Sequence, residues 1–249
     1  MNEFPAGLDG ITFASAECRL LGAFYRAAGY GPRPTALLLH GLPGVEKNLD
    51  IAYALRDAGW NSLLFHYRGS WGSQGNYSLF QLEDDVHAAA EWVRQQPSVD
   101  TNRIALIGHS VGGYVSFQAA ARDARFRAVV AICPLVSPAR APLSKPMFAE
   151  FAVMLQGVTA SDLQAQYATL PAIESLAPRL ADHPILLLTG DRDDIFPPSH
   201  YLPLLRVLPR IQWHQLADGD HGEMALCRVS EEGDAHMYSF RVAVGADHG

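Results

Sequence analysis

A chain of 249 residues that is 49% hydrophobic and 18% charged can bury one large core, and its formal net charge of −7, with no basic run, argues against a nucleic-acid partner. No apolar run approaches the roughly 20 residues that a membrane-spanning helix needs, and the start, MNEFPAGLDG, has neither the basic nor the apolar region of a signal peptide. Cys18, Cys133 and Cys227 share no metal-like spacing and read as reduced thiols of a cytoplasmic protein.

In chain order, ITFAS (11–15) and RLLGAFYRA (19–27) read as a leading hairpin. TALLLH (35–40), NSLLFHY (61–67), RIALIG (103–108), RAVVAIC (127–133) and PILLLTG (184–190) are then continuously apolar. Continuous runs suit parallel strands covered by helices on both faces. Between them, Asn48 is placed to cap a helix ending at Gly59. SLFQ (78–81) has the form of a capping box, with Ser78 as cap. Leu79, Leu82, Val86, Ala89, Ala90 and Val93 follow at helical spacing. Strand alternating with helix predicts an α/β fold with a mostly parallel, doubly wound sheet. The rhythm breaks at 137–181, where Pro138, Pro142, Pro146, Pro171 and Pro178 surround two short helical pieces, 147–155 and 161–170. This stretch reads as a small lid inserted in a single domain over 1–249; an ordinary long crossover is the other reading.

Gly108, Ser110 and Gly112 form G-x-S-x-G between a strand and a helix, the context in which this motif presents a nucleophile. Glycines at 108 and 112 leave room for a sharp turn, and the helix that follows points its positive end at the serine. A serine hydroxyl needs a base. Of His40, His66, His109, His214 and His221, only His221 lies in a polar loop, ADGDHGE, just after the last strand. The base needs a carboxylate to orient it. TGDRDDIFPP (189–198) offers Asp191, Asp193 and Asp194 by composition. A solvated acidic loop is the bland reading of this cluster, and a metal site with His221 the remote one. Backbone donors for an oxyanion are expected at Val111 and, from HGLPG (40–44), at Leu42, with Gly41 and Gly44 allowing close approach to substrate. Met147, Phe151 and Met154 lie in an apolar stripe that is either core or the wall of a substrate pocket.

With HGLPG, GHSVGG, TGDRDDIFP and DGDHG in that order, residues 10 to 222 resemble the α/β-hydrolase superfamily. FHYRGSWGSQGNYS (65–78) is similar to the RG-x-G-x-S segment of its esterase and dipeptidyl-peptidase-like branches. The resemblance implies the α/β-hydrolase fold and a Ser-His-Asp hydrolase, and its spacing selects Asp193 as the acid. The expected function is therefore a carboxylesterase acting on esters of small to medium acyl or aryl groups. It needs no cofactor or metal; nucleic acid and membrane are not expected partners, and a homodimer stays open. Two rivals remain. One is a prolyl-oligopeptidase-type peptidase or amidase, whose usual propeller has no room in 249 residues; the other is a non-catalytic binding protein of the same fold. Relatives usually follow the histidine with a long amphipathic helix. Here 223–249 lacks helical period, and MYSFRVAV (237–244) reads as a strand.

Overall fold

The computed structural model describes residues 2–45 and 48–222. The expectation for 223–249 lies outside the described residues. Eight strands form one sheet: β1 (Gly7–Ser15), β2 (Cys18–Arg26), β3 (Arg33–Leu39), β4 (Asn61–Phe65), β5 (Val99–His109), β6 (Phe126–Ile132), β7 (Ile185–Gly190) and β8 (Gln212–Leu216). Their spatial order is β1-β2-β4-β3-β5-β6-β7-β8. β1 pairs antiparallel with β2, and β2 with β4; every other pairing is parallel. The leading hairpin and the mostly parallel sheet both match the reading of the sequence.

The continuous apolar runs follow from helices on both faces. In β3, Leu37 and Leu39 join the larger core cluster, which includes Val86 and Val93 of α2 (Leu82–Arg94) and Val115 and Phe117 of α3 (Val111–Arg122). Ala36 and Leu38, pointing the other way, join the smaller cluster with Ala52 and Leu55 of α1 (Leu49–Asp57). Each fully buried Leu or Val in these layers stabilises the fold by about 1.5–3 kcal/mol. No helix among the described residues is long and apolar enough to cross a membrane.

Two helix starts differ from expectation. Asn48 occupies the cap position of α1, but its backbone is left-handed and its side chain makes no cap bond; its carbonyl oxygen accepts from Ala52. The Ser78 capping box does not form. Ser78 closes a turn through its carbonyl to Gln81 N–H, Gln166 takes the Leu79 N–H, and α2 begins only at Leu82. Glu83, Asp84 and Asp85 in the first turn suit the helix's positive end without a side-chain cap. The expected apolar face of this helix is buried throughout.

Residues 137–181 hold α4 (Lys145–Ala152), α5 (Ala160–Thr169) and α6 (Ala177–Leu180), with 3-10 turns at Pro138–Arg140 and Ile173–Leu176. The chain arrives here from β6 and leaves into β7. Ser144 caps α4, and Thr159 with Asp162 forms a capping box on α5. The segment is stitched to the loop after β4: Gln156 N–H donates to Gly69 O, and Tyr77 N–H to Gln156 O. That loop is anchored in turn. The Arg68 guanidinium bonds the carboxylate of Asp85 in α2 and the hydroxyl of Ser15 in β1, all out of water.

Candidate active site

One residue, Ser110, separates β5 from α3, and its backbone sits at φ 55°, ψ −118°. A non-glycine residue persists in such a conformation only where its surroundings over-determine it. Here they do: Ser110 N–H donates to Ile132 O at 3.0 Å, and its carbonyl accepts from Tyr114 and Leu135 at 3.2 and 3.0 Å. The flanking glycines are required by the neighbours of the turn. A Cβ on Gly108 would overlap the carbonyl of Gly112, and one on Gly112 would overlap the carbonyl of Leu39 at the end of β3. Glycine therefore lets the turn press against the adjacent strand.

His221 lies beyond β8, in the loop the sequence singled out. Its Nε2 faces Ser110 Oγ at 3.1 Å and its Nδ1 faces Asp193 Oδ2 at 2.9 Å. An ionised carboxylate only accepts, so Nδ1 carries the proton and Nε2 is left to accept from the serine hydroxyl. The ring is braced by the edge of Phe196, with centroids 4.9 Å apart. His109 Nε2 donates to the backbone carbonyl of His221 at 2.9 Å. His40 donates instead to Gly41 O, and His214 sits in mid-strand beside Leu188 of β7.

Asp193 is buried, whereas Asp191 and Asp194 are exposed. Its Oδ1 accepts from the amides of Ile195 and Phe196 at 3.0 and 2.7 Å. Burial pushes its pKa up. The bond to His221 and its charge, the Phe196 amide and the Cys133 thiol more than offset this and hold the carboxyl below its ordinary range. Among the described residues, one trio has metal-like spacing: Cys133, Asp193 and His221, within 4.8 Å of one another. Asp191 and Asp194, weighed as ligands in the sequence, are not part of it.

Val111 opens α3, where the first amides have no intrahelical acceptor. Leu42 lies half-buried in the loop after β3. Gly44, expected to admit substrate, instead makes room for a neighbour: at φ 90°, a Cβ there would overlap the His40 ring. The indole N–H of Trp71 bonds the Pro43 carbonyl at 2.9 Å, tying the loop after β4 to the loop after β3. Met154, with Trp71, Val153 and Leu155, lines a groove of about 260 Å³ whose lining includes no triad residue. Phe151 packs on the larger core, and Met147 is half-buried on α4.

A family model described as the prolyl oligopeptidase family matches residues 50–244. The chain belongs to the prolyl oligopeptidase family. An uncharacterized protein of Mycobacterium tuberculosis is 32% identical over 194 residues, 78% of this chain and 64% of its own length. The polyketide transferase GrgF of Penicillium is 31% identical over 153 residues, 59% of this chain and 49% of its own length. The chain thus spans less than two thirds of these relatives. The crystal structure of GrgF superposes with a TM-score of 0.67 at 21% identity, over 88% of this chain and 91% of that one. An esterase of Pyrococcus furiosus gives 0.67 at 18% identity, over 87% and 83%. These structural likenesses establish the α/β-hydrolase fold of this prolyl oligopeptidase family member.

Sequence reasoning missed three parts of the site. Cys133 was read only as a reduced thiol, yet it lies against the Asp193–His221 pair. His200, stacked on Phe196 with centroids 5.0 Å apart, accepts the Val136 N–H on Nε2. Arg68 was noted only within its motif, and its pairing with Asp85 had no local signal. The one hint for Cys133 was its position at the end of an apolar strand, where side chains reach the same rim as Ser110.

Proposed function

We propose that the chain is a carboxylesterase-type serine hydrolase, with Ser110 as nucleophile, His221 as general base and Asp193 as the acid that orients it. The observation that carries this reading is the unbroken hydrogen-bond chain Ser110–His221–Asp193, built on a strained turn at a helix N-terminus. His221 Nε2 takes the Ser110 proton as Oγ attacks the ester carbonyl. The N–H groups of Leu42 and Val111 hold the resulting oxyanion. His221 then gives its proton to the departing alcohol. Water attacks the acyl-enzyme with His221 again as base, releasing the acid and restoring Ser110. Apart from the ester and this water, the residues named supply every group these steps use.

The groove beside Met154 supports an uncharged substrate of small or medium size, because its lining carries no charged side chain. With Met147 and Phe151 on the adjoining helix, it is assigned to the acyl or aryl group. The substrate is a small-molecule ester, with nucleic acid and membrane surfaces outside its range, and the free thiols of Cys18 and Cys133 fit a cytoplasmic setting. A peptidase or amidase reading is favoured by one observation, the family model itself. Labelling with a fluorophosphonate probe, followed by peptide mapping, tests the nucleophile. An unlabelled Ser110 in folded protein would reject the enzyme reading in favour of a binding protein. Turnover of p-nitrophenyl esters without turnover of aminoacyl p-nitroanilides favours the esterase, and the reverse the peptidase.

A further inference from the structure

We propose that Cys133 is a positioning residue for the triad, its thiol donating to the Asp193 carboxylate and so tuning the basicity of His221. This rests on the triad reading above. A carboxylate has about four acceptor positions. Three donors to Asp193 are the amides of Ile195 and Phe196 and the Nδ1–H of His221. The thiol of Cys133, with Sγ within 4.8 Å of the Asp193 carboxylate and the His221 ring nitrogen, is placed to be a fourth.

The placement of Cys133 is specific. It follows β6, fully buried, with its backbone at φ 41°, a region that side chains other than glycine rarely adopt. Its N–H donates to Leu188 O of β7 at 2.8 Å, which fixes this turn against the strand that carries the acidic loop. Sγ then lies within 4.8 Å of the ligating atoms of Asp193 and His221. Burial and the neighbouring carboxylate push the thiol above its ordinary range, so it keeps its proton and remains a donor. A thiol is a weak donor in water, but a dry site strengthens the interaction.

The electrostatic consequence has a sign. The positive end of the S–H dipole faces the carboxylate and moderates its pull on the imidazolium that forms during attack. Without it, the imidazolium is better stabilised and His221 holds its proton to higher pH. The other groups facing this cluster are Ser110 from the elbow, His109 from β5, Tyr201 and His200 beyond the acidic loop, and Asp220 beside His221. They are common to every variant at position 133, so comparing variants isolates the thiol.

Cys133→Ala and Cys133→Ser carry the same backbone cost at φ 41° and differ in one donor. Two readouts are compared: the low-field proton resonance of His221 Nδ1–H, which needs no substrate, and kcat/KM against pH on p-nitrophenyl acetate. In Cys133→Ala, kcat/KM at pH values on the acid limb should fall roughly two- to ten-fold, the scale of one hydrogen bond, because less of His221 is neutral there. The acid limb should move to higher pH and the resonance should shift; Cys133→Ser should return all three toward the parent protein. If Ala and Ser coincide in both readouts, the thiol only fills space and the proposal is overturned. Should both variants unfold, the S–H stretch of the parent decides: lowered in frequency by the carboxylate supports the bond, and a free-thiol frequency overturns it. A parent protein with no ester turnover defeats the esterase reading, while the resonance and the stretch still judge the thiol bond.

Discussion

Asp193 Oδ2 accepts the Nδ1 proton of His221 at 2.9 Å. The adjacent Asp194 is exposed, at the outer side of the turn that Asp193 closes by accepting the Ile195 and Phe196 amides. Asp193→Asn keeps the shape but presents an amide N–H that can favour the wrong imidazole tautomer. A loss of up to about 10⁴ in kcat is expected, by analogy with the serine-protease triad. Asp194→Asn should change kcat by less than about two-fold, as for a surface site. Measuring the two single variants side by side checks this, and a larger loss at Asp194 would overturn the assignment.

Ser110→Ala should keep the fold and abolish acyl-enzyme formation, since the turn is held by backbone bonds to Ile132, Tyr114 and Leu135 that alanine retains. His221→Ala should lose turnover to a similar extent, because nucleophile and base act as a unit. His214→Ala, in mid-strand beside Leu188, should leave the chemical step nearly unchanged. Burst-phase kinetics with a chromogenic ester reads all three. A large loss at His214 with little at His221 would place the base elsewhere.

The elbow and its strand-helix context were legible because glycine spacing and apolar runs are local signals. The choice of Asp193 came from the spacing that the family resemblance implies, not from the residues alone; in the structure Asp193 is buried, and Asp191, Arg192 and Asp194 are exposed. The helix starts at Asn48 and Ser78 misled for a physical reason. A polar residue before an apolar run can use its carbonyl as easily as its side chain, and the competing acceptor, Gln166, lies 87 residues beyond Leu79. Cys133, His200 and the Arg68–Asp85 pair were illegible because each gains its meaning from a strand or helix distant in sequence. A buried thiol carries no local mark of the carboxylate it faces.

His200 predicts a pH dependence of stability separate from that of catalysis. Burial and the Arg140 charge push its pKa down to about 4. An unfolded histidine titrates near 6.5. Between those values the unfolded chain binds the proton and the folded chain does not, so stability rises with pH across the window and is lost on acidification through it. The full effect amounts to about 3 kcal/mol. Asp193 acts in a lower window: with its pKa held down, its contribution is complete above the ordinary carboxylate value and fades as pH falls through the folded value. Urea midpoints at pH 7 and pH 5 should therefore separate more for the parent than for His200→Gln, whose amide oxygen can still accept the Val136 N–H. Equal separations would remove His200 as the cause.

The Arg68–Asp85 pair should matter more for the fold than any surface ion pair. Both side chains are buried, and Asp85 also accepts the Arg68 backbone N–H at 2.9 Å. Burial alone would lower the Arg68 pKa, but the bonds and charge of Asp85 more than reverse this and keep the guanidinium charged. Asp85→Ala strands that charge away from water, and a loss of about 3–5 kcal/mol is expected. The double variant Arg68→Met with Asp85→Asn removes both charges, fills the space, and leaves an oxygen for the Arg68 amide position. It should recover at least half of the loss, because a buried pair offers little over an uncharged replacement of similar volume. The consequence reaches the site through the loop itself: Trp71, three residues on, bonds the Pro43 carbonyl beside Leu42, and Gly69 is bonded to Gln156 at the edge of the groove. A folded single variant should thus show a raised KM for esters before any change in the pH profile of kcat. Urea unfolding of the single and double variants, with KM measured on each, tests both halves; a double variant as unstable as Asp85→Ala would mean that the charges themselves, and not their pairing, hold this loop.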